Sequence, residues 1–230
     1  MMSFQPYVPP EQAMKDRSDY ARKGIARGKS VAAMEFADGI AFLAENPSAT
    51  LHKISEIYDR ISFAGVGKYS EFDSLRIAGI QLADVRGYSY GREDVTAKSL
   101  ANAYSQALSN IFTQQWKPFE VEILVAEVGN TPGENALFHI LFDGSVNDEQ
   151  GYVAMGGRSE EIRAQLKDRY REGLSADEAL RFCIEAIQSV EERTVPPEDL
   201  EAGILDRTLP RRKFRRLTDD QVAALAPAGG

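Results

Sequence analysis

Hydrophobic residues recur along the chain with two different periods, one typical of helices and the other of strands. The clearest helical stripe lies within residues 94–115, where apolar side chains return every three or four positions. Residues 69–86 show the same spacing, and Ser175 followed by Glu178 has the sequence of a capping box at the start of a later helix. The predicted helices are Glu11–Gly28, Tyr69–Arg86, Asp94–Gln115, Glu160–Arg171, Ala176–Glu192 and a short helix from Asp219.

Short apolar runs bounded by turn residues such as Asp38-Gly39 and Asp143-Gly144 predict strands between these helices. The predicted strands are Ser30–Phe36, Ile40–Ala44, Leu51–Tyr58, Ile61–Val66, Phe119–Val128, Ala136–Phe142, Gln150–Met155, Ala202–Asp206 and Lys213–Leu217. Helices therefore come in pairs between groups of antiparallel strands. This order predicts one domain of the α/β (α+β) class, a four-layer αββα sandwich in which two antiparallel sheets pack face to face between helix pairs.

The first predicted helix has an unusually thin inward stripe of mostly small residues. Two of its stripe positions are glycines, and each costs about 1 kcal/mol relative to alanine in a helix interior. Small residues along one stripe permit close approach to another backbone, so this helix is expected to need a packing partner. The stripe consists of Met14, Ser18, Ala21, Gly24, Ile25 and Gly28.

Composition narrows the function classes. The formal net charge of −8 argues against a nucleic-acid surface, and the short basic segment Arg207–Arg216 is interleaved with apolar residues, as in a half-exposed strand. The single cysteine, Cys183, excludes an intrachain disulfide and is expected to be a core residue. No signal peptide or membrane-spanning run is found, so a cytoplasmic location is predicted.

Three glycine-containing segments superficially suggest phosphate loops. Residues 28–30 have the wrong spacing and lie between a helix and a strand in the reverse order. Residues 65–68 and 155–157 do lead from a strand into a helix, but glutamates follow in the first turns, where a phosphate would bind. The first segment is therefore rejected as a phosphate loop, and the other two are interpreted as tight turns.

No catalytic or metal-binding set is apparent from residue spacing. His52 and His139 lack cysteine or carboxylate residues at zinc-ligand spacing, and no Ser-His-Asp combination stands out. No metal and no cofactor is predicted.

Several collinear segments together nevertheless resemble the α-type subunits of actinobacterial 20S proteasome core particles, along nearly the whole chain. The segments that carry the resemblance are residues 10–30, 42–48, 51–60, 69–76, 83–90, 142–145 and 210–216. The family has the αββα sandwich of N-terminal-nucleophile hydrolases. The resemblance implies a homo-heptameric ring of α-subunits, stacked on proteasome β-subunits that carry the threonine peptidase activity, with a ring-shaped activator ATPase as a further partner.

The resemblance also implies that this chain is not itself an enzyme. A catalytic β-subunit exposes an N-terminal threonine whose own amine acts as the general base. In this chain Lys29 stands where that threonine would be, behind a helix of about five turns.

Three regions acquire roles through the resemblance. Residues 10–29 form an assembly helix whose Met14, Ala21, Gly24 and Ile25 contact neighbouring subunits, ahead of a sandwich over residues 30–218. Lys53 corresponds to a cationic lysine that receives the C-terminal carboxylate of the activator. Residues 1–9 form a gate at the axial pore, with Phe4, Pro6, Tyr7, Val8 and Pro9 as its main residues. Apart from these three regions, residues 219–230 are predicted to form a terminal helix and a flexible tail, which matches no family feature.

One other hypothesis stays open at this point. A free-standing, self-processing N-terminal-nucleophile amidohydrolase needs a Thr, Ser or Cys exposed by cleavage before Ser30. A β-type peptidase subunit is excluded, because the threonine that it needs is missing at the position of Lys29.

Overall fold

Two antiparallel sheets, each with five strands in the described part of the chain, lie between pairs of helices. The structure is a computed structural model that describes residues 9–191 and 194–226. The helices are α1 (Pro10–Ile25), α2 (Tyr69–Ser89), α3 (Ala97–Gln114), α4 (Ser159–Arg169), α5 (Ala176–Val190) and α6 (Asp219–Leu225). The strands are β1 (Val31–Phe36), β2 (Gly39–Glu45), β3 (Ile54–Tyr58), β4 (Ile61–Gly67), β5 (Val121–Glu127), β6 (Ala136–Ile140), β7 (Val146–Glu149), β8 (Tyr152–Met155), β9 (Leu200–Asp206) and β10 (Phe214–Arg216).

The first sheet has the strand order β10-β9-β2-β1-β8, and the second has β3-β4-β5-β6-β7. Every neighbouring pair is antiparallel. Helices α4 and α5 cover the outer face of the first sheet, whereas α2 and α3 cover the outer face of the second. The predicted four-layer sandwich is therefore confirmed.

Strand β1 shows why the central strands read as continuous apolar runs. Its Ala32 and Met34 face α4 and α5, while Val31 and Ala33 face the second sheet. Because both faces are buried, both need apolar side chains, and the alternation of a half-exposed strand disappears. The same holds for β2, in which every residue is buried.

Helix α5 has the strongest amphipathic pattern and the cap that the sequence predicts. The Ser175 hydroxyl accepts a hydrogen bond from the Glu178 amide at 3.2 Å, and the Glu178 carboxylate accepts from the Ser175 amide at 2.9 Å. Cys183 is fully buried on its inward face, and burial raises the pKa of its thiol to about 12. The cysteine is therefore a core residue, as predicted, and not a reactive thiolate.

The sequence prediction missed strand β7. Only three strands were expected between α3 and α4, whereas the structure has four, and the segment Val146–Glu149 forms the outer edge of the second sheet. Its first three residues are exposed, so it lacks the apolar alternation by which a strand is recognised. Polar residues at an edge position are common because they discourage pairing with another chain.

None of the helices in the described ranges has the length and apolar character needed to cross a bilayer. Much of the basic segment at residues 207–216 is engaged within the chain. Arg207 donates to the Gly129 carbonyl at 2.7 Å, Lys213 donates to the Arg207 carbonyl at 2.9 Å, and Arg212 pairs with Glu56. These contacts agree with the prediction of a strand segment rather than a phosphate-binding surface.

Candidate binding site around Lys53

Lys53 immediately precedes β3, and its backbone is fixed by a carboxylate from the other sheet. Glu201, on β9, accepts hydrogen bonds from the Lys53 amide at 2.8 Å and from the Ile54 amide at 3.2 Å. Because β9 belongs to the first sheet and β3 to the second, these bonds join the two sheets at one end of the sandwich. The position of Lys53 is therefore set by long-range contacts rather than by its own strand.

Glu201 is a buried charge with several partners. The side-chain amide of Asn46 donates to it at 2.7 Å, and the Arg216 guanidinium pairs with it. Arg216 also donates to the Ile54 carbonyl at 2.6 Å. A buried carboxylate is tolerated when its oxygens are saturated by donors in this way.

The Lys53 side chain turns towards the start of β1. Its ammonium donates to the backbone carbonyl of Lys29 at 2.7 Å, and it is part-buried there. The Lys29 ammonium in turn pairs with Glu45 at 2.9 Å, and Glu45 is only 1% exposed. Lys29, Lys53 and the carboxylate of Glu45 thus meet where β1 begins and β2 ends, next to the pair of Glu201 and Arg216.

Burial is the main influence on the ionisation of Lys53. It lowers the pKa of the ammonium to about 8, although Glu45 and Glu201 act in the opposite direction and Lys29 adds to the lowering. The ammonium has three N–H donors, and the Lys29 carbonyl accepts from one of them. Chemically, the site presents a desolvated cation suited to a carboxylate.

The three glycine segments that resemble phosphate loops meet beside this site, at the junction of α1 and β1. A Cβ on Gly28 would lie 3.1 Å from the Gly67 amide nitrogen, and a Cβ on Gly157 would lie 2.4 Å from the Ala26 carbonyl oxygen. Gly67 also has φ +95°, a conformation that favours glycine. Gly67 ends β4 directly before the N-cap of α2, and Gly156 and Gly157 lie between β8 and α4, so both of these segments lead from a strand into a helix as the sequence predicts. The glycines allow the backbones to approach the junction closely.

The structure separates the residues predicted to contact neighbouring subunits into two groups. Ala21 and Ile25 are buried within the chain's own core between the sheets, and Gly24 lies against the Glu120 side chain. Met14, in the first half of α1, is 40% exposed. The second half of α1 is therefore anchored to the sandwich through Ala21 and Ile25, while Met14 and Tyr20 present exposed apolar surface along the helix.

Most of the predicted gate lies outside the described residues, namely Phe4, Pro6, Tyr7 and Val8. Pro9 is described: it is the N-cap residue of α1, and its carbonyl accepts a hydrogen bond from the Ala13 amide at 3.0 Å. The helix starts at Pro10, whose missing N–H costs nothing in the first turn.

Sequence reasoning missed the partners of Lys53. Glu201 was assigned to no role, although a glutamate inside the apolar run Leu200–Leu205 is a signal, because a buried carboxylate requires donors. Which donors these are depends on the packing of β9 against β3, and local sequence does not contain that information.

The chain matches known proteins along most of its length. Residues 25–205 match the family model described as proteasome subunit. Three similar relatives are all named proteasome subunit alpha. The protein from Kineococcus radiotolerans is 54% identical, with 100% of both chains covered. That from Acidothermus cellulolyticus is 55% identical over 97% of this chain and 98% of its own, and that from Frankia alni is 54% identical over 95% and 94%.

These matches agree with the architecture, since two five-stranded antiparallel sheets between helix layers are consistent with the proteasome sandwich fold. They extend over the segments on which the resemblance was based, including α1 and the residues around Lys53. The chain therefore belongs to the proteasome subunit family, and its full-length similarity places it with the α subunits of actinobacteria.

Proposed function

We propose that this chain is a noncatalytic α-subunit that forms the seven-membered outer ring of a proteasome core particle, gates its pore and docks an activator ATPase at Lys53. The observation that carries the proposal is the contact between Lys53 and Lys29 at the start of β1. The position of a catalytic threonine holds a lysine, and a buried cation lies beside it. Partners would be further α-subunits, β-subunits and the ATPase, and the expected cytoplasmic location belongs to the same proposal.

The α1–β1 junction supports the absence of catalysis in this subunit. The residue after Lys29 is Ser30, which is 4% exposed, and α1 ends only four residues before Lys29. An N-terminal nucleophile must have a free amine and reach a substrate. Here the corresponding amine is tied up in a peptide bond beneath a packed helix, so we assign peptide hydrolysis to the β-subunits.

The chemistry of Lys53 supports docking of the activator at this residue. A terminal carboxylate placed next to its ammonium would form a charge-assisted hydrogen bond, worth roughly 1.5–3 kcal/mol. Repetition of the site around a ring would multiply the effect, because the second and later contacts of one activator are intramolecular.

Helix α1 and the segment before it support the proposed roles in ring formation and gating. The exposed Met14 and Tyr20 of α1 offer apolar surface to a neighbouring subunit, while Ala21 and Ile25 hold the helix to its own sandwich. The segment before Pro9 contains Phe4, Tyr7 and Val8 and no charged side chain, so copies gathered at one axis gain by clustering.

Co-expression with a proteasome β-subunit tests the proposal. We expect particles with outer rings of this chain, and peptide hydrolysis that a threonine-directed inhibitor blocks, whereas the pure chain alone hydrolyses nothing. Inhibitor-resistant hydrolysis by the pure chain would contradict the proposal. Loss of roughly the first 29 residues, measured by intact mass, would instead support the free-standing amidohydrolase.

A further inference from the structure

A second cluster of charged groups lies between the sheets at the edge formed by β7 and β8, away from Lys53. At its centre is His139 on β6, which is 7% exposed. Its Nε2 atom lies 3.3 Å from a carboxylate oxygen of Glu122 on β5, and its Nδ1 atom lies 3.9 Å from one of Glu149 on β7. The imidazole is therefore held between two carboxylates of the second sheet.

Helix α4 connects this cluster to the first sheet. Arg163, on α4, donates to both oxygens of Glu149, at 2.6 and 3.1 Å, and its guanidinium lies 6.0 Å from the ring centre of Tyr152 on β8. Because α4 packs on β8, the chain of contacts from Glu122 to Arg163 crosses from one sheet to the layer that covers the other. A cavity of about 420 Å³ borders the cluster and is also lined by Asn147 and Ser159.

The charge balance of this cluster depends on one proton. With a protonated imidazole, two carboxylates face two cations. With a neutral imidazole, Arg163 is the cation that remains in the cluster among the described residues, and a part-buried carboxylate loses its compensation, which is costly. The other ionisable groups that face the cluster are Tyr152 on β8 and Glu160 on α4, and Glu160 adds further negative charge.

We propose that the imidazolium of His139 forms a pH-dependent link between the second sheet and α4. This link weakens when His139 loses its proton. Water entering the adjoining cavity would then solvate the uncompensated carboxylate, and the segments around β7 and α4 would open more often. This inference concerns the folded subunit itself and does not depend on the docking role of Lys53.

The ionisation of the groups agrees with this geometry. Burial on its own lowers the pKa of His139, but the hydrogen bond to Glu122 and the charges of Glu122 and Glu149 outweigh it, so the pKa lies above the usual 6.5. The nearby His139 imidazole is the chief cause that lowers the pKa of Glu149 to about 2, and Arg163 contributes to it, so this carboxylate stays ionised near neutral pH. A raised histidine pKa contributes stability that is complete below about pH 6.5 and is lost as the pH rises through the folded value.

Hydrogen–deuterium exchange of the full-length subunit, corrected for intrinsic exchange rates, tests this link between the second sheet and α4. Between pH 6 and pH 9 we expect the protection of α4 and β7 to fall as His139 loses its proton, while the protection of α5 stays constant. In His139→Gln, which keeps a similar side chain without the titration, the protection of these segments should be low and independent of pH.

A second variant keeps the test informative if His139→Gln does not fold. Glu122→Gln removes one of the carboxylates that favour the imidazolium, so the loss of protection should shift to lower pH. Equal pH profiles in the parent and Glu122→Gln, or a loss of protection spread evenly over the chain, would overturn the proposal.

Discussion

The ammonium of Lys53 donates a hydrogen bond to the backbone carbonyl of Lys29 across 2.7 Å. Lys29 connects α1 to β1, whereas Lys53 leads into β3, so this one bond links the helix proposed for ring assembly to the residue proposed for docking. A ligand that competes for the Lys53 ammonium would therefore act on the connection between α1 and β1.

Docking at Lys53 should depend on pH. Because burial lowers the pKa of Lys53 to about 8, the fraction of protonated side chains falls as the pH rises through this value. At one pH unit above the pKa about a tenth remains charged, so affinity for a carboxylate should drop by about tenfold between pH 7 and pH 9. Calorimetry in buffers of different ionisation enthalpy should show proton uptake on binding near pH 8.

The lowered pKa of Lys53 also affects folding stability, and its contribution to stability rises with pH while docking affinity falls. Between pH 8 and about 10.5 the unfolded chain holds a proton at this lysine more firmly than the folded chain does, so the contribution of Lys53 to stability rises with pH there. Repeating the calorimetry with Lys53→Ala separates the pH dependence of docking from the pH dependence of folding stability. A binding profile that is flat from pH 7 to pH 9 in the parent would contradict the docking argument.

Removal of the N-terminal tail should open the assembled particle. Because α1 is capped by Pro9, deletion of residues 2–8 leaves its first turn intact. We expect faster hydrolysis of small peptides and unfolded proteins, at unchanged particle size, when truncated and full-length particles are compared at equal active-site concentration. Equal rates would show that this tail does not control entry.

Gly157→Ala should weaken the attachment of α1. The new Cβ would lie 2.4 Å from the carbonyl oxygen of Ala26, so one backbone has to move. We expect a loss of about 1–3 kcal/mol of unfolding free energy, measured by chemical denaturation. Gly133→Ala is a matched control, because a Cβ there meets nothing within 4 Å. Equal stability of the two variants would mean that the junction is not tightly packed.

The layers of the fold are predictable from the sequence, because they follow from local signals. The stripe of α3 and the capping box at Ser175 identify helices by the spacing and caps that helices require, and both are present in the structure. The edge strand Val146–Glu149 is not predictable in this way, because an exposed strand has no apolar face to reveal it.

The candidate site is predictable only in part. Lys53 was identified through the family resemblance, and its role stays a prediction. Its contacts with Lys29 and Glu201 join residues 24 and 148 positions away, so they depend on how the two sheets pack. The cluster around His139 was missed for the same reason, since Glu122 and Glu149 lie on different strands and only the sheet register brings them to the histidine.

Lys53→Ala should abolish activator-stimulated protein degradation while ring assembly and hydrolysis of small peptides are kept. The substitution removes the cation but leaves the backbone contacts of Glu201, which involve the amides of residues 53 and 54. Lys167→Ala, at an exposed lysine on α4, is the matched control and should behave like the parent.

The most direct measurement is the binding of one peptide in two chemical forms to the assembled particle. The peptide carries the last residues of the particle's activator ATPase and ends in either a free carboxylate or a carboxamide. We expect the carboxylate form to bind the parent particle at least tenfold more tightly than the carboxamide, since a charge-assisted bond of roughly 1.5–3 kcal/mol is at stake. In Lys53→Ala particles the two forms should bind with equal, weak affinity. Undiminished preference for the carboxylate in Lys53→Ala would contradict the assignment of docking to this lysine.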